Sequence, residues 1–467
     1  MTRYKVITAL ITSLLITSCQ VQIPSVDIKC KPVSQKDVSQ DSLANKRSDI
    51  IKLEIQVDGT ESMQGFVKND RKSRYEQTLE LLDVIATASW SRDKSTIDYY
   101  RFGTKRQGIS KQTYINAQKP NFYNVGGVFR DGQIIAAIPP SSANKLSIIV
   151  TDLYQTDADI SSVIGKLKGE YLQKDYAVGI LGIKSEFNGQ VYDIGVRKLD
   201  RPYNTKGKKT EQFRPFYLIM LGSYQNIVYY FEQLQQESKG LIEPEQFIIF
   251  YPRVIESTSA FDLDGFPSKL PQGQNVLRKI STFNNRQVIG KIIDKRSTMA
   301  LLLQEDAAGN YEINNTISYF PSSYTLQVDS SRSDAFISQI SGEIFDQNSQ
   351  KFQPDNSQGF QFSNWQINKT ESEAELTFST LVDSQKIQSG IYNFTVNLIP
   401  NQFKEPQWWQ EWNFDESSFD RNNKDNFDGS TTLNLLNFMK GMKSVTSELV
   451  ETKSPFAASL CYGIQRN

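Results

Sequence analysis

Short apolar runs alternate with amphipathic stretches between residues 50 and 251. The runs are rich in β-branched and aromatic residues, which is typical of strands. They cover residues 50–57, 96–102, 145–150, 176–183, 215–221 and 246–251. Strands that alternate with helices predict an α/β domain built on a doubly wound, mainly parallel sheet, and we place this domain at residues 49–254.

Several of the stretches between these runs carry apolar residues at the spacing of one helical face. The groups are Tyr75, Leu79, Leu82 and Ala86; Ile160, Val163, Ile164 and Leu167; and Ile227, Tyr230, Phe231 and Leu234. The first run departs from the pattern, because Lys52, Glu54 and Gln56 alternate with its apolar residues. A central strand of a parallel sheet is apolar on both faces, so we expect this strand to be partly exposed.

The pattern changes at about residue 255, where helical spacing fades. Short alternating runs separated by Asn, Ser, Gly, Pro and Asp predict a β-sandwich domain at residues 255–400. Its candidate strands are residues 298–303, 323–328, 335–344, 374–381 and 390–399. Residues 401–467 then contain an aromatic and acidic loop, an amphipathic helix and a short terminal strand. The predicted buried face of that helix consists of Leu435, Phe438, Met439 and Met442.

Three tryptophans stand close together in the aromatic loop, at Trp408, Trp409 and Trp412. They could form a platform that binds a sugar or a partner. The favoured interpretation is an apolar strip that seals the terminal helix onto the sandwich. The acidic residues nearby do not have the spacing of an EF-hand.

The first residues of the chain predict its compartment. Arg3 and Lys5 precede an apolar stretch over residues 6–16 that is short for a membrane span and is typical of a signal peptide. The stretch ends in LITSC at residues 15–19, which resembles the bacterial lipobox. That resemblance implies a signal peptide at residues 1–18, acylation of Cys19 and a lipidated tether at residues 19–48. We therefore expect a lipoprotein anchored to a bacterial membrane, facing the periplasm or the exterior.

Composition excludes several classes of chemistry. The chain has 467 residues and no histidine, which rules out Ser-His-Asp and Cys-His catalysis and histidine-ligated zinc. Its 52 Lys and Arg balance its 52 Asp and Glu, and no basic block stands out, so a nucleic-acid partner is not expected. No glycine-rich phosphate loop is present either. We predict that the protein is not an enzyme.

Two cysteines remain once Cys19 is assigned to the lipid anchor. Cys30 and Cys461 would lie in an oxidising compartment where a disulfide can form. A bridge would tie the start of the tether to the end of the chain. Two unpaired thiols are the alternative, and the sequence does not distinguish them, because it does not fix the distance between the two residues.

The candidate site begins at Asp58, directly after the first strand, in the sequence DGTESM. Open α/β sheets bind ligands at the carboxyl ends of their strands. The pattern D-x-T-x-S-M resembles the metal-ion-dependent adhesion site of von Willebrand factor type A (VWA) domains. That resemblance implies that Asp58, Thr60 and Ser62 supply hard oxygen ligands to a divalent cation, Mg²⁺ first, with Ca²⁺ or Mn²⁺ as alternatives.

The VWA resemblance implies two further ligand loops. Thr151-Asp152 matches the Thr-Asp pair that ends a later strand of the family, so Asp152 is a candidate ligand. The other loop, at residues 126–131, is glycine-rich but lacks the family's threonine. Asp131 could take its place as a ligand, or could be a helix N-cap. The resemblance covers roughly residues 49–200, which would make residues 215–251 an extension.

The same segment also resembles a phosphatase motif, but one essential residue of that motif is missing. Val57-Asp58-Gly59-Thr60 is similar to the D-x-D-G-T motif of haloacid-dehalogenase-type phosphatases, whose first Asp is the nucleophile. Gln56 occupies that position here, and an amide cannot form an aspartyl-phosphate.

The sequence therefore predicts a membrane-anchored, non-enzymatic module that binds another protein through a divalent cation at a VWA-type site. Its partners would be that protein and, through acylated Cys19, the lipid bilayer. The alternative is a structural lipoprotein of an envelope assembly whose site is degenerate and holds no metal.

Overall fold

The structure is a computed structural model that describes most of the chain from residue 47 onwards. The described residues are 47–90, 94–123, 126–154, 160–194, 199–258, 278–283, 286–293, 296–303, 310–356, 359–370, 373–414 and 428–466. The predicted signal peptide and lipidated tether, including Cys19 and Cys30, lie outside them apart from residues 47 and 48, and so do the acidic residues at 415–427.

The first half of the chain forms a seven-stranded mixed sheet and a separate two-stranded hairpin. The strands are β1 Ile51–Asp58, β2 Ser95–Phe102, β3 Arg106–Ile109, β4 Lys145–Thr151, β5 Ala177–Ser185, β6 Asn188–Ile194, β7 Leu199–Asn204, β8 Arg214–Gly222 and β9 Phe247–Phe250. The order in the large sheet is β3-β2-β1-β4-β8-β5-β9, and β6 pairs with β7. An α/β domain is therefore present at the predicted place.

The prediction of a mainly parallel sheet is wrong. Only β1 pairs in parallel with its neighbours, β2 and β4, whereas β3, β8 and β9 pair antiparallel to theirs. The strand β8 is also not an extension, because it lies between β4 and β5. The physical reason is the connection that precedes it: β5 is followed by the β6–β7 hairpin rather than by a crossover helix, so the chain returns antiparallel beside β5.

Helices cover both faces of the sheet, and three of them, α1, α4 and α5, lie where the apolar spacing predicts them. They are α1 Arg74–Ala88, α2 Lys111–Ile115, α3 Ile134–Ala137, α4 Ile160–Glu170 and α5 Tyr224–Glu237. The helix α1 begins at a capping box in which Ser73 and Glu76 satisfy each other's backbone N–H groups. The apolar faces of α1 and α5 pack in one core with the odd-numbered residues of β1, and α4 belongs to the core on the opposite face.

The strand β1 is central and buried, contrary to the expectation of partial exposure. Lys52 is exposed, but Glu54 is only 3% exposed and Gln56 is 0% exposed. Glu54 is compensated by neighbouring strands, since Arg106 Nη2 lies 2.8 Å from its carboxylate and Ser147 Oγ donates to it at 2.7 Å. The polar face of β1 is therefore buried rather than exposed. Burial is possible because Arg106 and Ser147 compensate the charge of Glu54.

The second half forms two further sheets. The strands are β10 Ile255–Thr258, β11 Arg278–Phe283, β12 Arg286–Ile293, β13 Arg296–Leu303, β14 Asn310–Pro321, β15 Phe336–Asp346, β16 Lys351–Asp355, β17 Phe360–Lys369, β18 Ala374–Asp383, β19 Gly390–Pro400, β20 Asn413–Phe414, β21 Thr432–Leu433 and β22 Ala458–Arg466. One sheet has the order β10-β14-β18-β17 and the other β11-β12-β13-β22-β19-β15-β16, while β20 and β21 form a small pair.

The two larger sheets of this half face each other in a sandwich-like layer. The ring of Phe360, in the first sheet, lies 4.9 Å from that of Phe394 and 5.1 Å from that of Tyr462, both in the second. Residues 323–328, expected as a strand, contribute only isolated bridges, one to Ile249 and one to Phe403. Cys461 lies in β22, in the middle of the second sheet, and its pairing with Cys30 stays a prediction.

The last two helices join the halves. They are α6 Gln407–Glu411 and α7 Leu435–Lys453. Trp408, Trp409 and Trp412 are buried, which fits a packing strip rather than an exposed platform. The strip packs on the α/β sheet: Trp409 contacts Phe250 of β9, and the ring of Trp412 lies against Gly182 of β5. A single apolar core consequently includes the face of the α/β sheet that packs against α4, the helix α7 and the sandwich.

Within the described residues, none of the helices combines the length and the apolar character that crossing a bilayer would need.

Candidate functional site

Two buried carboxylates meet at one edge of the α/β sheet. The strand β1 ends at Asp58, and its parallel neighbour β4 ends at Thr151, which Asp152 follows. Parallel strands that are adjacent end at the same edge, so the two loops are brought side by side. Asp58 is 0% exposed and Asp152 is 1% exposed. The fold therefore brings together the two acidic residues that the motif and the Thr-Asp pair had singled out separately.

Hydroxyl groups link the two carboxylates through a continuous series of close oxygen–oxygen contacts. Thr60 Oγ1 donates to Asp58 Oδ1 at 2.7 Å and lies 3.1 Å from Ser62 Oγ. Ser62 Oγ in turn donates to Asp152 Oδ1 at 3.2 Å, and Thr151 Oγ1 donates to the other oxygen of Asp58 at 3.0 Å. Four of the five predicted ligands, Asp58, Thr60, Ser62 and Asp152, thus contribute oxygens to one small cluster.

Burial and repulsion make Asp58 a weak acid in this arrangement. Its pKa is raised to about 7, first because burial penalises the charged carboxylate and second because Asp152 repels it. Hydrogen bonds from Thr60 and Thr151 oppose this rise without cancelling it. The site consequently favours any added positive charge between the two carboxylates.

Arg101, at the end of β2, lies beside Asp58 and was not anticipated from the sequence. It donates to the carbonyl of Gly59 at 3.1 Å, and its guanidinium lies 3.9 Å from the ring centre of Phe129. Burial lowers the pKa of Arg101 to about 10, and attraction to Tyr123 and Asp58 opposes that lowering. Gly59 is required for this approach, since a Cβ there would come within 2.3 Å of Arg101 Nε.

Arg214, the first residue of β8, approaches Asp152 from the other side. It is 5% exposed, and its Nη2 lies 3.4 Å from Asp152 Oδ2. The other terminal nitrogen donates to the carbonyls of Gly429 and Thr431, at 3.2 and 3.4 Å. The sequence placed this strand in an extension, so nothing in it associated Arg214 with the site.

Asp131 occupies the glycine-rich loop next to the cluster. Gly126 and Gly127 both have positive φ, of 63° and 61°, which explains why glycines stand there. The N-cap of α3 is Gln133 rather than Asp131, so the helix-cap interpretation of Asp131 is wrong. Gly132 packs on the site, because a Cβ at that position would lie 3.7 Å from Thr60 Cγ2.

The structure does not gather a set of three acidic ligands. Among the described residues, no group of three or more His, Cys, Asp and Glu side chains is arranged to hold a metal ion. The cluster therefore consists of two carboxylates, from Asp58 and Asp152, and three hydroxyls, from Thr60, Ser62 and Thr151. The assignment of Asp131 as a ligand stays a prediction that rests on its neighbour Gly132.

The β6–β7 hairpin packs beside the two loops that carry the cluster. Tyr192 of β6 lies with its ring centre 6.1 Å from that of Tyr154, in the loop that follows Asp152. The hairpin is held close to the 3₁₀ helix Glu61–Val67, since a Cβ on Gly189 would come within 2.8 Å of Gly65 Cα. Asp58, Thr60, Ser62 and Asp152 are at most 3% exposed.

The chain has no match among protein-family models. No curated protein matches it either. Among solved structures, the crystal structure of the CupB6 tip adhesin from Pseudomonas aeruginosa aligns with it at 9% identity, over 62% of this chain and 78% of the adhesin chain, with a TM-score of 0.15. A likeness at that TM-score carries no argument, so the geometry of the cluster itself is what bears on function.

Proposed function

We propose that this chain is a membrane-anchored, non-enzymatic protein-binding module that holds a divalent cation at a VWA-type site. The candidate ligands are Asp58, Thr60, Ser62, Asp131 and Asp152, and the preferred ion is Mg²⁺. The observation that carries the proposal is the continuous cluster of oxygens between the ends of β1 and β4.

The spacing of these oxygens suits a small hard cation. Bonds of about 2.1 Å at right angles place neighbouring ligand oxygens about 3 Å apart around Mg²⁺. The successive separations from Asp58 through Thr60 and Ser62 to Asp152 are 2.7, 3.1 and 3.2 Å. An ion among these oxygens would add to the positive charge that the hydroxyl protons of Thr60 and Ser62 now supply to the two carboxylates.

The electrostatics support the same interpretation. Asp58 and Asp152 are both buried, and burial first and repulsion by Asp152 second raise the pKa of Asp58. A divalent ion between them would compensate both charges, because carboxylate oxygens and hydroxyls are the donors that Mg²⁺ and Ca²⁺ prefer.

The placement of the strands supports the VWA resemblance in part. The central position of β1 between β2 and β4 gives the shared edge that the motif needs. The antiparallel strand β8 departs from the doubly wound sheet that the resemblance implies. The proposal therefore rests on the cluster and its edge, not on the whole domain.

The alternative function is a structural module of an envelope assembly with a metal-free site, and Arg101 and Arg214 favour it. Two guanidinium groups flank the two carboxylates, so the chain already supplies positive charge to the region. Asp58, Thr60, Ser62 and Asp152 are also at most 3% exposed, so a partner has little direct access to an ion bound among them.

Titration calorimetry of the full-length protein with Mg²⁺, Ca²⁺ and Mn²⁺ tests the site. We expect binding that Asp58→Ala abolishes and that Asp98→Ala, an exposed ion-paired aspartate on β2, leaves unchanged. Loss of binding in Asp131→Ala would make Asp131 a ligand, and unchanged binding would exclude it. If none of the three ions binds at millimolar concentration, the metal-free alternative replaces the proposal.

The partner is tested by crosslinking in intact cells. A protein captured by the natural chain and lost with Asp58→Ala supports cation-dependent binding. Equal capture by both chains points to the structural alternative.

The anchor has its own test, which follows from the lipobox resemblance. Cys19→Ala should release the protein from membranes or leave an uncleaved precursor, as seen by fractionation and mass spectrometry of the chain. Mature protein that stays on membranes without Cys19 would exclude the lipid anchor.

A further inference from the structure

Arg214 connects the candidate site to a distant part of the chain. One terminal nitrogen faces Asp152 Oδ2, and the other faces the carbonyls of Gly429 and Thr431. Its Nε has no hydrogen-bond partner in the described part of the chain. A single buried guanidinium thus spans a site carboxylate and two backbone carbonyls that lie more than two hundred residues further along.

The segment 428–433, which carries these carbonyls, is closely packed on the α/β domain. Thr432 Oγ1 and Tyr217 Oη, of β8, are 2.9 Å apart. Gly429 lies against the ring of Tyr203, where a Cβ would come within 2.4 Å. The Thr432 N–H donates to the carbonyl of Trp412 at 2.7 Å. The segment therefore links the site to the tryptophan strip and to the start of α7, which belongs to the core shared with the sandwich.

We propose that Arg214 is the chain's own cation at Asp152 and that it couples occupancy of the site to the docking of the segment 428–433. This inference rests on the proposed cation site, and it adds how that site would be regulated. A divalent ion at Asp152 and a guanidinium within hydrogen-bonding range of the same carboxylate repel each other. Arginine cannot relieve the repulsion by losing its proton, so it must move or the ion must bind weakly.

Movement of Arg214 has a defined consequence. The guanidinium that withdraws from Asp152 also leaves its positions on Gly429 and Thr431, because its planar fork holds all three contacts in one geometry. The segment 428–433 then loses two charge-assisted hydrogen bonds. Since coupling between two sites is reciprocal, whatever holds that segment in place weakens ion binding by the same factor by which the ion loosens the segment.

Two readouts on the full-length protein test the coupling: ion affinity by calorimetry and amide exchange at Ser430–Leu433 by hydrogen–deuterium exchange. In the natural chain, Mg²⁺ should speed exchange at these amides. Arg214→Gln should bind Mg²⁺ about tenfold more tightly, because the competing charge is gone, and should show fast exchange even without the ion. Arg214→Lys keeps the charge but loses the fork, so it should retain weak ion binding while the segment exchanges fast.

Arg253→Gln is the matched control. Arg253 is another buried arginine, 9% exposed, whose Nη2 lies 3.6 Å from Asp175, away from the site. Its replacement should change neither ion affinity nor exchange at Ser430–Leu433. A change in either readout equal to that of Arg214→Gln would attribute the effect to general loss of stability and overturn the inference.

The outcomes separate this inference from the proposed function. If the natural chain binds no ion but Arg214→Gln does, Arg214 is the blocking cation and the proposed cation-dependent function fails. If both bind with equal affinity, or if exchange at Ser430–Leu433 is unchanged in Arg214→Gln, the coupling is excluded while the proposed function stands. If neither binds, both are excluded.

Discussion

Two buried carboxylates on the same strand, Glu54 and Asp58, have opposite surroundings. Both lie on the polar face of β1, and both are almost completely buried. Glu54 has a guanidinium at 2.8 Å, from Arg106, and a hydroxyl from Ser147. Asp58 receives hydrogen bonds from Thr60 and Thr151, while burial and then repulsion by a second carboxylate, Asp152, raise its pKa.

The difference separates a structural charge from a candidate functional one. A buried carboxylate that has its own arginine stabilises the sheet only as part of that pair, and it has no use for an added ion. Asp58 accepts hydrogen bonds from hydroxyls and is repelled by another carboxylate, while the nearby Arg101 donates to the Gly59 carbonyl instead. Its electrostatics are unfavourable, and a ligand can relieve them. Equal burial is thus compatible with a structural carboxylate and with a candidate functional one. The charged groups next to the carboxylate distinguish the two.

Removal of the Glu54 charge should have the largest effect on stability. Glu54→Gln keeps the shape and the hydrogen bond from Ser147 but leaves Arg106 without its counter-charge. We expect a loss of about 3 kcal/mol in the free energy of unfolding, toward the lower end of the range for a broken buried pair because Arg106 retains some contact with water. Urea denaturation measures it. The loss of stability should be the same with and without Mg²⁺. A loss that depends on Mg²⁺ would show that Glu54 contributes to the cation site.

The same conservative change at Asp58 should not lower the stability of the ion-free protein, but should remove the stability gained from Mg²⁺. Asp58→Asn removes a repelled buried charge, so the ion-free protein should be as stable as the natural chain or more stable. The natural chain should gain about 2.7 kcal/mol when Mg²⁺ is present at a hundred times its dissociation constant. Asp58→Asn should lose that gain. A large destabilisation of ion-free Asp58→Asn would show that Asp58, like Glu54, is structural.

The sequence predicted the site better than the sheet that carries it. Asp58 and Asp152 could be associated because each ends an apolar run, and the ends of parallel neighbours meet at one edge. The position of β8 could not be predicted, since periodicity reports that a run is a strand but not which strand it pairs with. Arg214 therefore escaped notice, although it contacts Asp152 across 62 residues of chain.

Arg101 and Glu54 show the same limit of prediction in two further places. Alternation of Lys52, Glu54 and Gln56 was interpreted as exposure, because the sequence does not reveal that Arg106 follows β2 in a hairpin and reaches Glu54. Arg101 could have been found, since it lies near the end of a strand that pairs with β1 at Val57. The missing information is strand pairing in both cases.

Ser62→Ala should have the smallest effect on the free energy of unfolding. It nevertheless distinguishes most directly between an ion-binding cluster and a structural network. Ser62 joins the two carboxylates, and its hydroxyl is the one that donates to Asp152 Oδ1. Its removal costs one hydrogen bond to a carboxylate in the ion-free protein, which is about 2 kcal/mol of unfolding free energy. The variant should nevertheless bind Mg²⁺ more weakly than the natural chain, because one oxygen of the coordination set is lost while both charges remain. Paired calorimetry and urea denaturation measure the two quantities in one preparation. Unchanged affinity with reduced stability would mean that the hydroxyl only bridges the two carboxylates, and the chain from Asp58 to Asp152 would then be a structural network like the one around Glu54.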